Sequence, residues 1–256
     1  MSRLLSAEFY KLWKSVGFRV CYIVFAGRDI LYLLLVRFLG NVIGVQFDGL
    51  TQFEYLLISF SGSSVSGMLF GFVAASLITS DYKSRDMQCA IAQGHSRGHI
   101  LISKIIVYVV AVWILAAEDV LIYLVGGSII GGFGKPFTAS VLGYMLRAVL
   151  CEGFVMTMLY MTCVFIAFAF TSKAASVSLN ILVFFVLNMG LGIVSMIAKS
   201  DKLDDILTYL PLDSVKEMGA RDIDWSHAGI SLAVAAVYGA AMISATWLMF
   251  RKRDLR

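Results

Sequence analysis

The sequence "DYKSRDMQCAIAQGHSRGHILISK", residues Asp81 to Lys104, is a polar interval between two long apolar runs. The run before it covers residues 55–79, and the run after it covers residues 100–125. A helix needs roughly 20 apolar residues to cross the hydrocarbon core of a bilayer, and both runs are long enough. The interval therefore joins two predicted membrane spans and faces one particular side of the membrane.

The composition of the whole chain supports this interpretation. Of its 256 residues, 59% are hydrophobic and 15% are charged, whereas soluble domains are about 45–50% apolar and about 25% charged. We therefore expect one all-α integral membrane domain over residues 1–256, crossing the membrane several times. No block of like charge resembles a nucleic-acid-binding tail, so we expect no nucleic acid partner.

Six apolar runs predict six transmembrane helices. Residues 1–15 precede them with the pattern of an amphipathic interfacial helix, from which Arg3, Lys11 and Lys14 can snorkel. A short outer helix is expected over residues 138–150, ahead of the fourth span. The spans cover about residues 16–36, 55–79, 100–125, 152–170, 174–198 and 228–250.

Lysine and arginine collect on one side of these spans, and this bias sets the orientation. The opposite side has few basic residues apart from those of the polar segment 199–227, where acidic residues outnumber them. Both termini and the polar interval are therefore predicted to be cytoplasmic. The basic residues of the predicted cytoplasmic side are Arg3, Lys11, Lys14, Arg19, Lys83, Arg85, Arg97, Lys104, Lys173, Arg251, Lys252, Arg253 and Arg256.

Within the polar interval, apolar and small residues recur at helical spacing. Met87, Ala90, Ile91 and Gly94 stand at i, i+3, i+4 and i+7, which predicts a short amphipathic helix. Gly94 is a helix stop, and "HSRGHILISK" starts the helix that becomes the third span. The apolar side of the short helix can press into a groove on a partner, but the same pattern fits an interfacial helix without a partner.

Charged residues inside the spans are costly and often functional. Glu118, Asp119, Arg147 and Glu152 are expected at a similar level near the outer mouth, and we name them the outer polar cluster. This cluster either gates exit or contacts a cationic substrate, or else it pairs charges and fixes the packing of the helices.

Arg28 and Asp29 interrupt the first span. Because neighbouring residues of a helix point in different directions, we expect each of them to pair with another helix rather than with the other.

Small residues are frequent on the second and fifth spans, where they let helices approach closely. They either permit sliding between two chains or serve core packing within one chain. These residues are Ser63, Gly67, Gly71, Ser178, Gly190 and Gly192.

The sequence indicates neither catalysis nor a bound cofactor. Its four cysteines stand singly without CxxC spacing, which predicts neither a metal site nor a disulfide framework. A phosphate-binding P-loop requires GxxxxGK[ST], but Gly134-Lys135 is followed by proline. His95 and His99 are four apart without an evident third metal ligand. We therefore expect no catalytic residue, no metal and no nucleotide in this chain.

Four stretches carry a resemblance to a known family: "LLSAEFYKLWKS", "ITSDYKSRDMQCAIAQGHSRGHILISK", "LTYLPLDSV" and "FRKRDL". In their order and spacing, over essentially the whole chain, they resemble the ABC-2 type permeases, the membrane subunits of ATP-binding-cassette transporters. Within that superfamily the chain is most similar to the small permeases associated with lantibiotic and bacitracin immunity. Two features depart from the family pattern, namely "DYKSRDM" in place of an acidic residue and a Gly-Thr turn, and the charges of Arg28 and Asp29. The family positions fall on Gly94, Ser96, Arg97, Ile100 and Lys104.

The resemblance implies a transport complex of two permease chains and two ATPases. ATP and Mg²⁺ would bind to the ATPases, the second permease would be another copy or a similar paralogue, and residues 199–227 would form short outer helices. The implied function is export of hydrophobic or amphipathic compounds, such as antimicrobial peptides, across a bacterial cytoplasmic membrane. The alternative is a membrane sensor or regulator that binds a ligand through its outer segment without an ATPase. The implied contact with the ATPase lies within residues 82–96 and at its edge, on Tyr82, Lys83, Arg85, Met87, Ile91, Gly94, Ser96 and Arg97.

Overall fold

The structure is a computed structural model, and its regular secondary structure is helical throughout the residues that it describes. Those residues are 2–43, 48–51, 53–54, 64–134, 138–198, 209–210, 214, 218 and 223–252. The predicted outer helices of residues 199–227 lie almost entirely outside this part of the chain. The helices are α1 (Ser2–Lys14), α2 (Val16–Ile43), α3 (Ser64–Ser84), α4 (Asp86–Ala92), α5 (Arg97–Leu121), α6 (Ala139–Ala169), α7 (Lys173–Ala198) and α8 (Trp225–Lys252).

Four helices of the described part are long and apolar enough to cross a membrane. They are α5 with its π-helical continuation to Gly131, α6, the first part of α7, and α8. The prediction of an all-helical membrane protein is thereby confirmed, and the six spans and the cytoplasmic termini stay predictions. Helix α2, at the first predicted span, carries four charged residues, Arg19, Arg28, Asp29 and Arg37.

The fourth predicted span and the short helix expected before it form one continuous helix. Helix α6 runs unbroken over Ala139–Ala169, so the prediction of a separate outer helix over residues 138–150 is wrong. The Thr138 hydroxyl accepts a hydrogen bond from the backbone N–H of Val141 and caps the start of the helix. No proline occurs within Ala139–Ala169, and the charged Glu152 is accommodated inside the helix bundle.

The core lies where α2, α3, α6 and α7 meet around a layer of aromatic side chains. The Phe70 ring centroid lies 5.2 Å from that of Phe25 and 4.4 Å from that of Tyr160. Tyr160 in turn lies 5.6 Å from Phe184, and all four side chains are buried. Since lipid tails are as apolar as these rings, close packing rather than exclusion from water favours the association of these helices.

Small residues of α3 permit its close approach to α7. A Cβ atom added to Gly71 would lie 2.6 Å from Cβ of Asn180, and one added to Gly67 would collide with the Phe184 ring. For these two glycines the sliding hypothesis is wrong, because they already pack within one chain. Around Gly190 an added Cβ would meet no atom within 4 Å, and Ser178 is exposed. Ser63 and the surroundings of Gly192 lie outside the described part.

Candidate functional site

The 82–96 segment is a short helix between two joints. Helix α3 continues through Tyr82 to Ser84, and Arg85 then adopts a left-handed backbone conformation with φ of 61°. Helix α4 follows, and Gly94 ends it with φ of 88°, a value that glycine adopts without steric cost. Helix α5 starts directly after Ser96, whose hydroxyl caps it by accepting a hydrogen bond of 3.3 Å from the backbone N–H of His99.

The apolar side of α4 packs against its own chain. Met87 is 2% exposed, and Ile91 is partly buried against the same core. The prediction that this side is offered to a partner is therefore wrong for Met87, because the periodicity shows which residues share a face but not what covers it. The exposed side of α4 carries Cys89, Ala92 and the adjacent Gln93.

Several predicted coupling residues bind other helices of the chain. The Tyr82 hydroxyl donates to the Phe168 carbonyl at the end of α6, at 3.4 Å. The Arg97 guanidinium donates to the carbonyls of Phe250 and Arg251, at 3.2 and 2.8 Å. Arginine in this position satisfies carbonyls that the last turn of a helix leaves without intrahelical partners. Of the remaining predicted coupling residues, Lys83 and Arg85 are exposed.

A group of charges, three of them buried, lies at the segment, and we name it the ion cluster: Glu8, Lys11, Asp81, Asp86 and Lys104. Lys104 is 3% exposed, and its ammonium contacts both the Asp81 carboxylate and the Glu8 carboxylate, the latter at 2.5 Å. It also donates to a backbone carbonyl of α3 at 3.4 Å. The three donors of a lysine are thus matched by three acceptors, from α1 and α3.

The more exposed half of the ion cluster, Lys11 and Asp86, connects α1 to α4. The Lys11 ammonium lies 2.7 Å from the Asp86 carboxylate and 3.4 Å from that of Asp81. Burial lowers the pKa of Lys11, but its hydrogen bond to Asp86 and the nearby carboxylates outweigh this and raise the pKa above its ordinary value. The hydrogen bond from Lys11 lowers the pKa of Asp86. Both groups are therefore charged at neutral pH.

Sequence reasoning missed the ion cluster, although it placed Lys104 in the polar interval. One signal was present: Asp81 closes one apolar run and Lys104 opens the next, so two opposite charges lie at the same membrane boundary. A second was the spacing of Glu8 and Lys11, which puts them on one face of α1.

The charges inside α2 belong to a second group. The Arg28 Nε atom lies 2.7 Å from Asp29 Oδ1, and its Nη2 atom lies 3.0 Å from Asp119 Oδ2. The expectation that Arg28 and Asp29 do not pair with each other is wrong, because the guanidinium is large enough to bind Asp29 through Nε and a second carboxylate through Nη2. The expectation of a partner on another helix holds for Arg28, which binds Asp119 of α5.

The structure distributes the outer polar cluster over several places. Asp119 binds Arg28, while the Arg147 guanidinium lies over the ring of Tyr144, 5.4 Å from its centroid. Asp119 and Glu152 line one cavity between α5 and α6. Glu118 is buried one residue away and does not line this cavity. The proposed role of the cluster stays a prediction.

Comparison with known proteins identifies the chain by its family. A family model described as "ABC-2 family transporter protein" matches residues 4–188, which include most of α1, all of α2 to α6, the ion cluster and the cavity. Comparison with curated proteins gave no significant match.

Proposed function

Because the chain belongs to the ABC-2 transporter family, we propose that it is the permease subunit of an ATP-binding-cassette exporter, driven by a separate ATPase subunit. The complex contains two ATPases, which bind ATP and Mg²⁺, and a second permease that is a copy of this chain or a similar paralogue. Its cargo is hydrophobic or amphipathic, above all peptides such as antimicrobial peptides. It resides in a bacterial cytoplasmic membrane, as do the small permeases of lantibiotic and bacitracin immunity that the sequence resembles.

The 82–96 segment is the observation that supports this proposal. Its short helix α4 is joined to the long helices α3 and α5 at Arg85 and Gly94, which both have positive φ. One side of α4 is fixed by Met87 to the core, and the other side is exposed. An ATPase docked on the exposed side of α4 would push on a helix that is joined directly to α3 and α5. A coupling element requires such a connection between the ATPase and the membrane helices.

Polar contacts would carry the displacement of α4 into the membrane domain. Asp86 in the first turn of α4 binds Lys11 of α1, and Asp81 and Lys104 connect α3 to α5. A movement of α4 therefore reaches three other helices through direct contacts.

Cys89 provides a direct test of docking and orientation. It is exposed on α4, whereas Cys21 and Cys163 are buried and Cys151 is half-buried. A membrane-impermeant maleimide is expected to label Cys89 in inverted membrane vesicles but not in intact cells. When the ATPase co-purified with the chain is present, labelling is expected to slow about tenfold or more, because the centre of a protein interface excludes solvent.

Two matched variants complete this experiment. Cys89→Arg adds a long cation to the exposed side of α4, and Ser6→Arg adds one to an exposed position of α1. Quantitative mass spectrometry of purified native complexes is expected to find about one ATPase per permease with the wild type and Ser6→Arg, and to lose it with Cys89→Arg. Absence of any ATPase from the wild-type complex would refute the permease proposal. Retention by Cys89→Arg would refute docking on α4.

A further inference from the structure

Helices α5 and α6 enclose a cavity of about 300 Å³ within the membrane-spanning part of the fold. Its walls are apolar and include Trp113, Ala116 and Met156. Two of the residues that line it, Ala117 and Leu121, are exposed. The mouth therefore lies on the side of the bundle, where a compound dissolved in the bilayer can enter.

Two carboxyl groups interrupt this apolar lining. Glu152 is 3% exposed, and neither of its carboxyl oxygens has a hydrogen-bond partner among the described residues. Asp119 is 1% exposed, and its Oδ2 atom binds Arg28 whereas its Oδ1 atom has no partner in the same part of the chain. Buried polar groups are normally hydrogen-bonded, and leaving them without partners is costly. The lining thus presents acceptors to whatever occupies the cavity.

The balance of charge around the cavity favours a cation. Arg28 is shared between Asp29 and Asp119, so one guanidinium serves two carboxylates. Glu152 lies across the cavity without a cationic contact among the residues that the structure describes. Acidic residues that face a cavity within membrane spans commonly mark substrate and ion pathways.

We propose that this cavity binds the ammonium group of an amphipathic organic cation that enters from the bilayer. Glu152 accepts the hydrogen bonds of the ammonium, Asp119 adds a second carboxylate, and the apolar walls hold the attached hydrocarbon. This rests on the proposed function, which it deepens by naming positively charged amphipathic compounds as the substrate class.

The volume of the cavity sets the size of the cationic part of the cargo that it can hold. The indole of Trp113 packs directly on Gly153, where an added Cβ would lie 2.6 Å from the ring, so this glycine keeps the wall next to Glu152 close to the backbone. A group the size of a water occupies about 30 Å³, so the cavity holds roughly ten non-hydrogen atoms. The primary amine 3-phenylpropylamine has this size, and 3-phenylpropan-1-ol is its neutral counterpart.

Equilibrium dialysis of these two probes against the purified full-length chain in lipid nanodiscs tests the proposal, with empty nanodiscs subtracted. We expect saturable binding of the amine, and binding of the alcohol weaker by about 30-fold or more. Glu152→Gln is expected to weaken amine binding by a similar factor. Glu118→Gln removes a buried carboxyl at the same depth outside the lining, so a change below about threefold is expected.

A second variant keeps the test decisive if Glu152→Gln fails to fold. Ala116→Met fills the cavity without changing a charge, and it is expected to abolish amine binding. Equal binding of amine and alcohol, unchanged binding by Glu152→Gln or Ala116→Met, or no saturable binding at all would each overturn the proposal. The measurement uses no ATPase, so its failure is distinguishable from failure of the permease proposal in the Cys89 experiment.

Discussion

Replacing Lys104 with methionine isolates the contribution of the ion cluster to stability. The Lys104 ammonium contacts Glu8 and Asp81, which are 5% and 3% exposed. Without it Asp81 retains Lys11 at 3.4 Å, and Glu8 retains Lys11 only at 3.9 Å. Removing one partner of a buried ion pair costs about 3–5 kcal/mol when the remaining charge stays buried, and Lys11, whose side chain is 38% exposed, compensates the two carboxylates only in part. We expect Lys104→Met to lower the free energy of unfolding by that amount.

The free energy of unfolding can be measured by titration with sodium dodecyl sulfate in mixed micelles, followed by tryptophan fluorescence. Lys83→Met removes an exposed lysine at the same end of the helices, so a change within about 0.5 kcal/mol is expected. The triple variant Glu8→Leu, Asp81→Leu, Lys104→Met is expected to recover most of the loss, since well-packed apolar residues replace buried ion pairs at little cost. A Lys104→Met protein as stable as the wild type would refute the reasoning, because the two carboxylates would then not depend on Lys104.

The same unfolding measurement checks three further predictions. Gly71→Ala is expected to lower the free energy of unfolding by about 1–3 kcal/mol, because the added methyl group overpacks the contact between α3 and α7. Gly190→Ala is the control: its methyl group meets open space and should not destabilise the protein. Gly94→Ala is expected to cost about 1–2 kcal/mol, because alanine tolerates the positive φ of this joint poorly; an unchanged value would show that the joint relaxes. The pKa of Asp86 lies below its ordinary value of 3.8 because Lys11 donates a hydrogen bond to its carboxylate. The ionised carboxylate therefore stabilises the fold above pH 3.8, and this stabilisation is lost as the pH falls through the lower folded-state pKa. The difference between wild type and Asp86→Asn should therefore be constant from neutral pH down to about 4 and vanish below; a difference independent of pH throughout would contradict the pairing.

The sequence predicts those features that depend on local pattern. Apolar length and composition predict an all-helical membrane protein, and the structure confirms this class. The glycine that ends the amphipathic pattern predicts a helix end at Gly94, and the structure places a positive φ there. Both conclusions require only residues that are close together in the chain.

The contacts within the candidate sites could not be predicted in this way. Glu8 and Lys104 are 96 positions apart, and Arg28 and Asp119 are 91 apart. Hydropathy identifies such charges as costly, but it does not show which charge on another helix faces them. The same limitation applies to Met87, since an apolar face packs equally well against its own chain or a partner. Tertiary packing decides these cases.

The ion cluster contains two kinds of contact, and their difference bears on coupling. Lys104, Glu8 and Asp81 are buried, so separating them exposes charges to a medium that stabilises them poorly. Lys11 and Asp86 have side chains 38% and 41% exposed, and an exposed pair contributes at most about 1 kcal/mol. Under the proposed coupling, a small displacement of α4 is carried to α1 through Asp86, whereas a larger load is expected to break this contact before it separates the buried contacts among α1, α3 and α5. Asp86→Asn removes the weaker contact alone and therefore separates the two kinds of contact experimentally. It is expected to weaken the connection of α4 to α1 while the contacts of Lys104 with Glu8 and Asp81 stay intact.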